Sequence, residues 1–392
     1  MQKENHAQGT AIAEGRPPIA GRLFSLDVFR GVTIAAMILV NDGGDWKSTY
    51  WPLKHAKWNG WTPTDLIFPF FLFIVGVSMV FSFSSRLERG RSRGEIMKHV
   101  LRRGAILFAL GIFVNGFPTH FDPRTLRIEG VLQRIALCYV ISAVLFLWLG
   151  TRGRIAAIFG CLVGYWILMR YFPVPGFGVP THDIRLLDIN RNLAAWLDRK
   201  LLYRHLFNGS NDPEGVLSTI PAVASTLAGV LTAEWLRSTR SLGRKAIGMT
   251  VCGVLSFVAG EVINLWFPIN KNLWTSSFVL LTTGLGMIFL ALCYWLFDIV
   301  KAGRRFTTPI FVFGLNPIAA YVFSEALASG LDAIRLNSAT YGNISLHEWI
   351  YHALFVQVAS PANASLLYAL AYVLVCWATM WILYRKGIFL KV

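Results

Sequence analysis

Ten stretches of mostly apolar residues divide this chain, and each is long enough to cross the roughly 30 Å hydrocarbon core of a bilayer. A window of about 19 residues places them near 24–41, 64–85, 100–117, 129–149, 153–172, 216–236, 245–267, 275–299, 306–329 and 366–384. Lipid cannot satisfy backbone N–H and C=O groups, so each stretch must close its own hydrogen bonds, and a helix does so. The expected fold class is therefore an all-α membrane protein, a polytopic bundle of about ten transmembrane helices. The first stretch is the weakest, because Asp27 and Arg30 leave only Gly31 to Val40 free of charge. Leu346 to Val358 is apolar and aromatic but too short to span, and it reads as an interfacial or re-entrant helix. Composition agrees: hydrophobic residues are 55% and charged residues 15%, against about 25% charged in globular chains.

The net charge of +16 would raise nucleic acid as a partner for a soluble domain. Here the basic residues flank apolar stretches, so they read as topogenic charge facing a lipid bilayer, and nucleic acid is set aside. With the N-terminus inside, the inner segments hold 22 basic residues and the outer ones 12. Lysine and arginine are retained on the cytoplasmic side, so both termini are expected there. The five cysteines lie in apolar stretches without a CxxC pair, which excludes a disulfide framework and a zinc site. Residues 1–22 are polar, lack the apolar core of a signal peptide, and read as a disordered cytoplasmic tail. Residues 23–392 read as a single membrane domain without internal repeats.

Polar residues inside lipid are expensive, so where they sit is informative. Asp27 and Arg30 share a helical face and are close enough to pair, which makes a neutralised ion pair the plainer reading. Beyond that helix, Asn41, Asp42, Gly43, Gly44 and Asp45 form a polar, turn-forming mouth. The string KHAKWNGWTPTDLIFPFFLFIVG then crowds His55, Trp58, Asn59, Trp61 and Asp65 at the outer start of the second span. A lone interfacial histidine is usually a solvated or packing residue. This one lies between polar partners on the side where a polar substrate would arrive, so His55 is a candidate general base or nucleophile, with Asp65 fixing its tautomer. Asp65 would equally serve to cap the second span, since Thr62, Pro63 and Thr64 make a helix start. Asn115, Gln133, Arg134, Glu261, Asn264, Asn316 and Glu325 fall within spans and together suggest a hydrated passage. Asn316 followed by Pro317 is expected to kink span nine.

Two motifs are decoys. HEWIYH, from His347 to His352, spaces its histidines five apart, so they do not share a helix face as zinc ligands must. The sequons at Asn208, Asn343 and Asn363 matter only in a secretory lumen.

The strings LDVFRG, MILVN and KHAKWNGWTPTDLIFPFFLFIVG resemble the transmembrane N-acetyltransferases of the heparan-α-glucosaminide type and their bacterial relatives. The resemblance is dense over residues 23–80 and continues through GVLQRIALCY and FGLNPIAAYVFSE. It implies an acetyl group taken from acetyl-CoA on the cytosolic side and delivered to an amino sugar on the other side. It also implies a homodimer, and it places the family's key histidine on His55 and its asparagine on Asn41. The chain departs from the lysosomal member in lacking an N-terminal lumenal domain and an extra helix, so a bacterial inner membrane is the expected location.

The leading expectation is an acetyl-CoA-dependent acyltransferase without a metal. His55, Asn41 and Asp65 would be catalytic, and Trp58, Asn59, Trp61 and Asn316 would line the sugar site. Arg102 and Arg103 would hold the CoA phosphates, with Gln133 and Arg134 deeper along the passage. For Arg102 and Arg103 a purely topogenic role stands open beside this one. Two rival functions also stand open: O-acylation of a cell-envelope glycan, and sugar transport with His55 as a proton relay. The absence of a half-to-half repeat speaks against transport.

Overall fold

The computed structural model describes residues 23–118, 120–303 and 307–390. The tail expected over residues 1–22 lies outside them. In chain order the helices are α1 (Phe24–Asn41), α2 (Ile67–Glu88), α3 (Arg93–Gly116), α4 (Val131–Trp148), α5 (Thr151–Tyr171), α6 (Leu193–Leu201) and α7 (Thr219–Arg237). There follow α8 (Leu242–Asn264), α9 (Ser276–Tyr294), α10 (Thr308–Leu315), α11 (Pro317–Ala333), α12 (Leu346–Ile350) and α13 (Pro361–Arg385). By length and composition, eight helical segments among the described residues can cross a membrane. The pair α10 and α11, bent by 87°, is apolar enough together to form either a ninth, broken span or a re-entrant loop. The tenth expected stretch is α3, whose charges are confined to its first eleven residues, Arg93 to Arg103. The all-α polytopic class is thus borne out, with eight candidate spans among the described residues, or nine if the bent pair is one span.

The bend between α10 and α11 falls where Asn316 precedes Pro317, as expected from a proline that cannot continue the hydrogen-bond ladder. The short stretch after it is less regular than expected. Helix α12 runs only from Leu346 to Ile350 and passes into one π-helical turn, Tyr351–Phe355. Ahead of it lies a hairpin that the apolar pattern gave no reason to expect. Strands β1 (Arg335–Ser338) and β2 (Gly342–Ser345) pair antiparallel, with Arg335 opposite Ser345. Gly342, at φ +72°, takes the left-handed conformation of the turn.

The backbone resolves into two compact units. One holds the described residues up to His55, Thr62–Ile67 and those from Cys293 onward. Its centre is α1, packed on α10 so closely that a Cβ on Gly31 would strike the Ile310 carbonyl and one on Gly314 the Asp27 carbonyl. Small residues let helices approach in this way where lipid gives no hydrophobic drive. Arg30 pairs with Asp27 at 3.0 Å and donates to the Gly314 carbonyl at 3.2 Å, so the charge that weakened the first span is neutralised inside the bundle.

The other unit holds Ala56–Trp61 and Phe68–Leu292. Helices α2 and α7 cross it in glycine contact, Gly76 against Thr226 and Gly229 against Phe73. Helix α6, capped by Asn192, belongs to the long connection between α5 and α7. That connection is tied to the segment before α4 by Arg127, which pairs with both Asp212 and Glu214. Helices α5 and α8 keep only 22% of their apolar windows buried. Phe159, Val163, Val251 and Leu255 are exposed, as on a lipid-facing surface.

Candidate active site

The loop between α1 and α2 is folded by hydroxyls and one carboxylate. A turn at Trp51–Leu53 and another at Pro63–Leu66 are stitched together: Thr62 Oγ1 donates to the Lys54 carbonyl at 2.6 Å and Thr64 Oγ1 to the Pro52 carbonyl at 2.9 Å. Thr62 and Asp65 form a capping box, in which Asp65 Oδ2 accepts from the Thr62 N–H at 3.0 Å. The other carboxylate oxygen, Oδ1, lies 2.7 Å from Nδ1 of His55. The two roles read for Asp65, helix cap and histidine partner, are therefore held at once, one by each oxygen.

Asp65 is 1% exposed and the His55 side chain 46% exposed. A buried carboxylate accepts, so in the neutral ring Nδ1 carries the hydrogen and Nε2 the lone pair. An imidazole oriented in this way, on an open surface, can take a proton from a nucleophile or attack a carbonyl itself.

Asn41 closes α1, and its side-chain amide lies close enough to Glu325 of α11 to interact with its carboxyl. An amide nitrogen has two hydrogens and can serve more than one acceptor. Beside it lies a group of acids that sequence reading did not bring together. Burial and the nearby Glu325 and Asp332 carboxyls push Asp42 up to about 8. Asp332 itself faces His347 at 3.2 Å, and the His347 ring packs on Tyr368 at 4.9 Å between centroids. Asp45 anchors the mouth to the start of α13, its N–H donating to Ser365 Oγ at 3.1 Å. Nothing local in the sequence links residue 42 to 325 and 332; the only signal is that acids within or beside apolar stretches need company.

The remaining expected sugar-site residues spend their polar edges on the scaffold. Trp58 Nε1 donates to the Leu187 carbonyl at 2.8 Å, and Trp61 Nε1 to Glu261 at 3.2 Å. Asn59 accepts from Asn270 at 3.1 Å. Asn316 donates to the Ile388 carbonyl at 3.0 Å and accepts from Leu390 N–H at 2.9 Å, fixing the C-terminal segment against the bend.

On α3, Arg102 and Arg103 are exposed, and the Arg103 guanidinium lies 5.1 Å from the Tyr139 ring centroid. Gln133 and Arg134, near the start of α4, are fully buried. Among the described residues no group of three or more His, Cys, Asp or Glu side chains is placed to hold a metal ion.

Comparison with known proteins shows the family. The chain is similar to the heparan-alpha-glucosaminide N-acetyltransferase of Mus musculus, 31% identical over 366 residues, which covers 80% of this chain and 55% of that protein. It is 30% identical over 356 residues to the Homo sapiens protein of the same name, covering 78% and 53%. The chain therefore spans about half the length of these relatives. A family described as heparan-alpha-glucosaminide N-acetyltransferase, catalytic, matches residues 22–261, more than half of the chain and including His55 and Asp65. The chain belongs to the family of heparan-alpha-glucosaminide N-acetyltransferase catalytic domains.

Proposed function

We propose that this protein is an acetyl-CoA-dependent N-acetyltransferase that carries an acetyl group across the membrane to the amine of a glucosamine-type amino sugar. The observation that carries this reading is the half-exposed His55 imidazole held at 2.7 Å by a buried Asp65, in a family whose relatives are named as heparan-alpha-glucosaminide N-acetyltransferases.

His55 Nε2 acts on the outer side in one of two ways. As a base it removes a proton from the sugar ammonium, or from the amine as it attacks, and the C–S bond of the thioester breaks as the C–N bond forms. As a nucleophile its nitrogen first bonds the acetyl carbon while the C–S bond breaks and CoA leaves as the thiolate; the amine then takes the acetyl group from the ring nitrogen, and the proton it loses balances the thiolate. In both, Asp65 stabilises the imidazole as it gains positive charge, and the side-chain amide of Asn41 is assigned the hydrogen bond to the developing oxyanion. Trp58 and Trp61, three and six residues after His55, offer apolar faces to the sugar ring, with Asn59 between them in sequence; Asn316, bonded to Ile388 and Leu390, holds the C-terminal segment instead. Arg102 and Arg103 pair with the CoA phosphates at the inner mouth, and Gln133 and Arg134 belong to the donor's passage. The setting is a bacterial inner membrane with both termini cytoplasmic, and the assembly is a homodimer.

The test is incubation of the purified protein with acetyl-labelled acetyl-CoA, with glucosamine, with N-acetylglucosamine, or with neither sugar. Free CoA and labelled N-acetylglucosamine are expected with glucosamine alone. Equal turnover on N-acetylglucosamine would make the acceptor a hydroxyl and overturn the N-acetyltransferase reading. Sugar movement through vesicles without any acetylated product would overturn it in favour of transport.

A further inference from the structure

The interior of the unit built on α2 and α7 holds two adjacent side chains whose hydrogen-bonding capacity the protein does not use. Gln133 and Arg134 are both 0% exposed. Among the described residues, neither the oxygen nor the nitrogen of the Gln133 amide has a hydrogen-bond partner, and neither do Nε and Nη1 of Arg134. The third guanidinium nitrogen is engaged: Nη2 donates to the Gly215 carbonyl at 2.9 Å and to Ser218 Oγ. The Trp274 ring lies 5.2 Å from the guanidinium carbon. Arg134 is thus held in place by part of its donor set while the rest points elsewhere.

Gln133 occupies a slot left open by two glycines. A Cβ on Gly111 of α3 would strike its amide oxygen, and one on Gly130 would come within 2.8 Å of it. A buried polar group without a partner costs about 1–3 kcal/mol. Leucine would fill the same slot without that cost, so the amide is retained for an interaction that the chain itself does not complete.

An amide with an unused donor and an unused acceptor is the complement of another amide. The acyl donor of the proposed reaction carries two secondary amides in its pantetheine arm, between the phosphates and the thioester. The placement suits that arm. Arg103 lies over Tyr139, and Gln133 precedes Tyr139 by six residues on α4, which is about 9 Å along a helix axis. Phosphates held at Arg102 and Arg103 would direct the arm along α4 toward Gln133. We propose that Gln133, with Nε and Nη1 of Arg134, is the subsite that reads the amides of the pantetheine arm. This rests on the acetyl-CoA reading above and names the residues that distinguish the arm from the nucleotide.

The test uses the full chain in detergent and two probes, acetyl-CoA and adenosine 3′,5′-bisphosphate, which keeps nucleotide phosphates but lacks the arm. Gln133→Leu should melt at or above the wild-type temperature without ligand, bind acetyl-CoA at least ~10-fold more weakly, and bind the bisphosphate unchanged. Gln133→Met, unbranched and of similar volume, gives the same comparison if the leucine variant does not fold. Ser142→Ala, which removes another buried unpartnered group from the same helix, should leave both affinities unchanged. Unchanged acetyl-CoA affinity in Gln133→Leu would mean that the amide holds internal water only, and the assignment falls. A parallel loss of bisphosphate binding would mean general damage to the bundle and would overturn it equally. A wild-type protein that binds neither probe would instead overturn the acetyl-donor reading itself.

Discussion

The short contact between His55 and Asp65 ties two properties of one residue together, its tautomer and its readiness to act. Asp65→Asn keeps the size of the side chain and its cap on the second span, but an amide can present its nitrogen to Nδ1 and reverse the tautomer. The variant should insert and melt close to wild type and lose acetyl transfer by about 10²-fold or more; steady-state turnover on glucosamine checks this, and near-normal rates would remove Asp65 from the site. Asp42 makes a second residue-scale prediction. Its carboxyl stands at about 8 in the fold against an ordinary value of 3.8, because burial and the Glu325 and Asp332 carboxyls disfavour its charge. A raised acid favours the fold while it is neutral, so its contribution is fully present below about pH 4 and is lost as pH rises toward 8. The melting temperature should fall over that window, and Asp42→Asn should flatten the fall. A slope identical to wild type would show that Asp42 is not the group responsible.

Among the elements, α1 depends on how closely α10 can approach it. Gly31 has the Ile310 backbone where a Cβ would go, and a backbone carbonyl cannot swing aside as a side chain can. Gly31→Val should cost about 1–3 kcal/mol or more from overpacking, read as a lower melting temperature in detergent, whereas valine at the open Gly164 of α5 should change little. The helical bundle was legible because lipid demands long apolar stretches, and the first span matches its expected limits at Phe24 and Asn41. The bend was legible because Asn316-Pro317 breaks the ladder wherever it falls. Hairpin β1–β2 was not, since Arg335–Ser338 and Gly342–Ser345 are short and polar, and only the turn glycine marks them. In the site, the link between His55 and Asp65 could be read because both lie in one loop. The grouping of Asp42, Glu325 and Asp332, and the engagement of Trp58, Asn59 and Trp61 with distant segments, depend on tertiary packing that no local pattern encodes.

For the whole molecule, the account requires two faces with different tasks. The 22 to 12 division of basic residues supports the proposal that the α2–α3 turn is inside and the α6–α7 connection outside. Cysteines introduced at Ser92 and Ser210 in a Cys-free background should therefore show opposite accessibility to an impermeant thiol reagent, and equal labelling from one side would overturn the topology. The central claim is that His55 passes an acetyl group from one face to the other. Its most direct measurement is made in sealed vesicles, with acetyl-labelled acetyl-CoA on the face that carries Ser92 and glucosamine on the opposite face only. Labelled N-acetylglucosamine should accumulate on the glucosamine side with the wild-type protein and fall at least ~10²-fold in His55→Ala inserted at the same level. Undiminished accumulation with His55→Ala would contradict the account.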